Sequence, residues 1–132
     1  MTYLGIITVS VIFSVLFAKY DAARISIKSY KGDKTNLDHN FRTVVRVVFG
    51  LAVGHIDGNI FAALVSISAF YLVFDLFMNI ERGKNIFYLG HTSKVDRFLV
   101  NLFKEDVNKA GKAMFIFECA MFCLFSLAYF YL

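Results

Sequence analysis

The feature that most constrains this chain is its apolar beginning, residues 2–20, which is free of charged residues up to its last two positions. At about 1.5 Å of rise per residue, a helix of this length can cross a hydrocarbon core of about 30 Å. Residues 60–80 and 113–132 are apolar segments of similar length, each interrupted by a single acid, Asp75 and Glu118 respectively. The sequence therefore predicts three membrane-spanning helices at these positions.

Composition agrees with a bilayer protein of one domain, residues 1–132. Hydrophobic residues make up 58% of the chain, whereas soluble domains contain roughly 45–50% apolar residues. The net charge of +4 is expected of basic loops that face anionic lipid, so we expect membrane lipids and not nucleic acid as partners. The first segment has neither a basic n-region nor an A-x-A cleavage motif, and we expect it to stay in the protein.

A fourth segment, residues 41–56, contains Arg42 and Arg46 and is too short to cross the bilayer unless both arginines snorkel. The distribution of charge favours a crossing. All fourteen Lys and Arg residues fall in two segments, seven in residues 19–46 and seven in residues 82–112. Under the positive-inside rule both segments are cytoplasmic, so an even number of crossings must separate them.

The fold class predicted is an all-α integral membrane protein with four transmembrane helices and both termini extracytoplasmic. Residues 44–80 would form a helical hairpin that turns between Gly54 and Gly58, where glycine and Asp57 favour a turn. The first basic loop, which includes "RISIKSYKGDK", is expected to be irregular until Asn36 or Asp38 caps the second helix.

The pattern of apolar and polar residues in residues 93–104 predicts an additional amphipathic helix on the cytoplasmic face of the membrane. Ser93 and Asp96 form a capping-box pattern at its start. The apolar stripe, at helical spacing, consists of Val95, Phe98, Leu99, Leu102 and Phe103.

Polar residues within the spans form two stripes that can face each other. They are His39, Arg42 and Arg46 on the second helix, and Asp75, Asn79 and Arg82 on the third. Glu118 lies at a comparable depth on the last helix. Charges at the bilayer centre cost a few kcal/mol each, so we predict a buried cluster of Arg42, Arg46, Asp75, Asn79 and Glu118. Ion pairs that lock the helices are the first interpretation, and a proton or ion relay, a headgroup site or simple snorkelling are the alternatives.

Four basic residues near the inner interface, Arg82, Lys84, Lys94 and Arg97, are candidates to bind lipid headgroups. We expect no catalytic residues, metal site or cofactor, because H-E-x-x-H, G-x-S-x-G, P-loop and G-x-G-x-x-G motifs are absent. The three histidines, His39, His55 and His91, are too scattered for a histidine-rich metal site, although His39 and His91 with an acid could form a mixed one.

The central part of the sequence, an apolar span ending in FD followed by N, RG, FYLG, TS and DR, resembles a group of small integral membrane proteins of Bacteroidetes and their phages. The matching residues cover about a fifth of the chain: Phe74, Asp75, Asn79, Arg82, Gly83, 87–90, Thr92, Ser93, Asp96 and Arg97. The resemblance implies a bacterial inner membrane or a virion membrane, and it carries over no catalytic residue.

From these features we expect a non-enzymatic membrane protein with a structural or interaction role at the cytoplasmic face, acting through its basic loops. The alternatives are a small transporter or channel subunit that uses Asp75 and Glu118, a holin-like protein that permeabilises the membrane, and a lipid-modifying enzyme. We expect a protein partner or a homo-oligomer.

Overall fold

A computed structural model describes residues 1–30, 37–89 and 94–132, and its regular elements in these ranges are five α-helices. The helices are α1 (Tyr3–Tyr30), α2 (Leu37–Asp57), α3 (Ile60–Glu81), α4 (Lys94–Leu102) and α5 (Val107–Tyr131). Three segments, Tyr3–Ile27, Ile60–Glu81 and Val107–Tyr131, are long and apolar enough to cross a membrane. The predictions of an all-helical chain and of three long apolar spans are thus confirmed, while α2 is not among the three.

Helix α3 lies at the centre of the fold, where it packs against α1, α2 and α5, and α4 packs against α5. The terminal amino group of Met1 lies 2.6 Å from Asp57 Oδ1 at the end of α2. The Tyr3 hydroxyl donates to Ser126 Oγ at 2.7 Å near the end of α5. Both chain termini and the α2–α3 turn therefore lie at one end of the molecule, which we call the terminal end.

Helix α1 is longer than predicted, because it continues about three turns beyond residue 20 to Tyr30. The prediction of irregular structure in the first loop is therefore wrong for the residues up to Tyr30. Asp21 and Arg24 form an i,i+3 ion pair of 3.1 Å, and Ala22 and Ile25 pack against the core. These contacts stabilise helical turns that an alternating polar pattern did not predict.

The helical hairpin exists, but its turn is shorter than expected. Helix α2 continues to Asp57, and the turn consists of Gly58, with φ of +71°, and Asn59, whose Oδ1 accepts from the Phe61 N–H at 2.9 Å. Gly54, predicted to lie in the turn, is instead a buried helical residue packed against Ala63.

Two further boundaries differ from the prediction. Helix α5 begins at Val107, six residues earlier than expected, because the Asp106 carboxylate caps it by accepting from the Lys109 N–H at 3.0 Å. The amphipathic helix covers Lys94–Leu102, and it ends where Lys104 and Glu105 adopt positive φ. The proposed caps Asn36 and Ser93 lie outside the described residues, as does the side chain of Asp38.

The interior contains polar as well as apolar side chains. Two buried apolar clusters, one of Phe17, Ala18, Phe70, Phe74 and Met78 and one of Ile6, Val53, Ala62 and Val65, form the core. Ser10 and Ser66 have no exposed surface, and their hydroxyl oxygens lie 2.8 Å apart between α1 and α3. Such small residues allow the helix backbones to approach closely, as in membrane helix bundles.

Candidate functional site

The first group of buried charges joins α1 to α2. Asp21 has no exposed surface, and its Oδ2 accepts a hydrogen bond from Arg42 Nε. Arg24 Nη2 lies 3.1 Å from the other carboxylate oxygen, and the Arg24 guanidinium stacks on the Phe41 ring at 4.6 Å. We refer to Asp21, Arg24 and Arg42 as the Asp21 cluster.

The second group joins α2, α3 and α5 and consists of Arg46, Asp75 and Glu118. Arg46 Nη2 donates to Asp75 Oδ1 at 3.3 Å, and Asp75 and Glu118 line the same small pocket. The charge of Arg46 thus offsets that of Asp75, whereas Glu118 Oε1 has no hydrogen-bond partner among the described residues.

Aromatic rings hold the Arg46 guanidinium in place. It lies 4.1 Å from the centroid of Tyr71, 4.5 Å from that of Phe74 and 5.5 Å from that of Phe70. These cation–π contacts provide stabilisation where water is excluded. Only 7% of Arg46 is exposed, so this arginine is part of the core and does not snorkel to the surface.

A small pocket opens beside the two carboxyl groups, between α3, α5 and residues 86–89. Asp75, Asn79, Gly111 and Glu118 are among the residues that line it, and we call it the carboxyl pocket. Its cavity volume of about 30 Å³ can hold one or two water molecules. It is therefore too small for a lipid headgroup or an organic substrate.

Asn79 positions the chain segment that closes this pocket. Its Nδ2 donates to the carbonyl oxygens of Ile86 and Tyr88, both at 2.9 Å. A Cβ atom at Gly111 would lie 1.6 Å from the Phe87 carbonyl oxygen, so only glycine allows the segment to approach α5 this closely. Asn79 therefore supports the pocket from its rim and takes no part in the ion pairs.

The structure divides the predicted cluster in two. Arg46, Asp75 and Glu118 come together, while Arg42 pairs with Asp21. Arg82, Lys84, Lys94 and Arg97, the candidates for headgroup binding, are all exposed. His55 is exposed next to the turn at the terminal end, while the His39 side chain and His91 lie outside the described residues.

The sequence prediction misses Asp21, because the predicted first span ends at residue 20 and the prediction for the following residues is a loop. The available signal was the pair Asp21 and Arg24, whose i,i+3 spacing is typical of a helix that continues. The Gly50 and Gly54 spacing, G-x-x-x-G, was a second missed signal. A Cβ at Gly54 would lie 2.7 Å from that of Ala63, so this motif marks the α2–α3 contact.

The chemistry open to the site is limited. Among the described residues, no group of three or more His, Cys, Asp or Glu side chains could hold a metal ion. No protein-family model, curated protein or solved structure matches this chain. The fold and the site define a helical protein with three helices able to cross a membrane and with charged groups buried between its helices.

Proposed function

We propose that this chain is a non-enzymatic membrane protein with four crossings, which organises a partner at the inner face of a bacterial or virion membrane. The observation that carries the proposal is the orientation of α2. Its Val44, Val48 and Leu51 side chains are 52–60% exposed, whereas Arg46 is 7% exposed. A helix with its apolar face outward and its charged face inward suits lipid, so α2 serves as the fourth crossing.

Each arginine of α2 has an acidic partner on a neighbouring helix, which supports an architectural use of these charges. Arg42 pairs with Asp21 of α1 and Arg46 with Asp75 of α3. Between the carboxyl pocket and the terminal end, the apolar cluster of Ile6, Val53, Ala62 and Val65 fills the interior. Among the described residues, no charged side chain belongs to this cluster, so the buried charges join neighbouring helices.

The surface proposed for the partner is the end opposite the terminal end. There Lys84 and the α4 residues Lys94 and Arg97 expose positive charge. Helix α4 also exposes Val95, Phe98 and Leu102, by 58–65%, which suits a helix lying at the headgroup level of the membrane. An anionic lipid surface and an acidic face of a partner protein both match this combination.

The test is purification from the native membrane under mild detergent, followed by mass spectrometry of what copurifies. A triple variant, Lys84→Gln, Lys94→Gln and Arg97→Gln, is compared with the matched variant Lys109→Gln, which removes an exposed positive charge from α5. We expect a stoichiometric protein partner with the wild type and with Lys109→Gln, and its loss with the triple variant. A protein that carries only lipid in all three cases would contradict the interaction role.

The carboxyl pocket favours one second candidate, a small ion transporter that uses Asp75 and Glu118. Reconstituted vesicles distinguish the two functions. Transport predicts ion flux that is abolished by Asp75→Asn with Glu118→Gln, whereas the architectural role predicts no flux from either protein.

A further inference from the structure

Two acids line the carboxyl pocket, Asp75 and Glu118. Arg46 pairs with Asp75, but no ion pair between an arginine and Glu118 is found among the described residues. Glu118 is 7% exposed, and its Oε1 accepts no hydrogen bond from the residues that the structure describes. A buried carboxylate oxygen without a partner costs free energy. A bound positive species beside Glu118 would remove that cost.

Charge counting gives the size of the missing charge. With both acids ionised, Asp75 and Glu118 contribute two negative charges and Arg46 one positive charge, so the group needs one more positive charge to be neutral. A proton on either carboxyl group would provide that charge. A small cation between the carboxyl oxygens would provide the same charge.

We propose that Asp75 and Glu118 together bind one small monovalent cation of the class of Na⁺ or Li⁺, in competition with a proton. The oxygens of carboxylates, backbone carbonyls and water are the donors that hard cations prefer. The 30 Å³ cavity admits a small ion with one water molecule and excludes organic cations such as choline.

The surroundings of the pocket limit the ion to a single charge. Arg46 on α2 lies 3.3 Å from Asp75, and this positive neighbour disfavours a divalent ion. Arg42 on α2 adds positive charge, and Asp96 on α4 adds negative charge within electrostatic range of both acids. The proposal goes beyond the architectural role and does not depend on it.

The test measures thermal unfolding of the full-length protein in detergent, with NaCl, LiCl or choline chloride at constant ionic strength. In alkaline buffer we expect Na⁺ or Li⁺ to raise the midpoint by roughly 2–8 °C relative to choline, rising with the logarithm of cation concentration. In acidic buffer the shift should disappear because the proton occupies the site. Glu118→Gln should abolish the shift, and Glu81→Gln, which removes an exposed acid from α3, should keep it.

A second measurement needs only the wild-type protein. Addition of NaCl to the protein in weakly buffered detergent solution should release up to one proton per chain, detected with a pH indicator, and choline chloride should release none. If NaCl neither releases protons nor shifts the midpoint, the proposal is overturned, and the two carboxyl groups bind no cation other than a proton. Equal shifts in the wild type and Glu118→Gln would also overturn it, since the ion would then bind elsewhere.

Discussion

Asp21 shows at the scale of one residue how this fold tolerates charge in its interior. Its carboxylate is fully buried but receives two guanidinium groups, from Arg24 and Arg42. Removing one member of a buried ion pair is costly, because the remaining charge stays in a medium that solvates it poorly. The Asp21 cluster is therefore expected to hold α1 against α2 and to require all of its members.

Asp21→Asn is predicted to destabilise the protein by about 3 kcal/mol, since it leaves two arginines without their acid. Unfolding by a denaturing detergent, followed by circular dichroism, measures the loss. Glu81→Gln, at an exposed acid, should change stability by less than about 0.5 kcal/mol. In the double variant with Arg42→Gln the losses should not add, and strict additivity would show that the two side chains do not interact.

Asp106 gives a prediction about pH. The Lys109 backbone N–H donates to its carboxylate, and this hydrogen bond lowers the pKa of Asp106 below the usual range for Asp. A folded-state pKa below the unfolded one means that the cap stabilises α5 above the unfolded pKa. That stabilisation decreases as the pH falls through the lowered folded pKa.

Nuclear magnetic resonance of the Lys109 amide in micelles measures this effect. We expect its hydrogen-exchange protection to decrease in strongly acidic solution and to remain constant from mildly acidic to neutral pH. Asp106→Asn, which keeps an acceptor oxygen without titrating, should remove the acid-dependent change. The same acid dependence in the variant would assign the change to another group.

At the scale of elements, the contact between α2 and α3 depends on two glycines. Gly50 and Gly54 allow the backbone of α2 to approach α3, since added Cβ atoms would lie 2.2 Å from Ile67 Cγ1 and 2.7 Å from Ala63 Cβ. The close approach aligns Arg46 with Asp75 across the interface. The packing of small residues thus sets the geometry of the charged site.

Gly54→Leu is predicted to force α2 and α3 apart and to destabilise the hairpin by about 1–3 kcal/mol. Ala52→Leu, which adds a similar side chain at an exposed position of α2, is the matched control and should have little effect. Unfolding in detergent gives the difference between the two variants. Equal stability of both would show that α2 and α3 do not pack as closely as described.

At the scale of the whole molecule, the alternating direction of α1, α2, α3 and α5 brings the termini to the α2–α3 turn. The ion pair between Met1 and Asp57 and the hydrogen bond between Tyr3 and Ser126 show this arrangement. The chain then has two ends of different character, because residues 1–18, 47–81 and 113–132, which form the terminal end and the segments that lead to it, contain no Lys or Arg. A membrane orientation with the basic end inside follows from this asymmetry as a prediction.

Cysteine labelling tests the proposal of four crossings. In a background without Cys119 and Cys123, we introduce Ser26→Cys, His55→Cys and Lys84→Cys one at a time, all at exposed positions. An impermeant maleimide on intact cells should label only His55→Cys, while opened cells should allow labelling of all three. Labelling of Ser26→Cys and His55→Cys from the same side would show that α2 does not cross.

Sequence patterns predicted much of the candidate site but not its pairing. The sequence places Asp75 at the level of residues 39–42 and within snorkelling reach of Arg46, with Glu118 at a comparable depth. The pairing of Arg42 with Asp21, and of Asn79 with the carbonyl groups of Ile86 and Tyr88, depends on helix rotation and on where α1 ends. The spacing of residues along a single helix does not determine either pairing.

The sequence by itself determined that the chain is helical and has three apolar segments of membrane-spanning length, because length and hydropathy are local properties. It also determined the charge asymmetry, which follows from where Lys and Arg occur. Only the tertiary structure decided which charges pair, that Gly54 packs and does not turn, and that a pocket of water size lies beside Glu118. These depend on side chains from different helices meeting at distances of a few ångströms, which no single segment encodes.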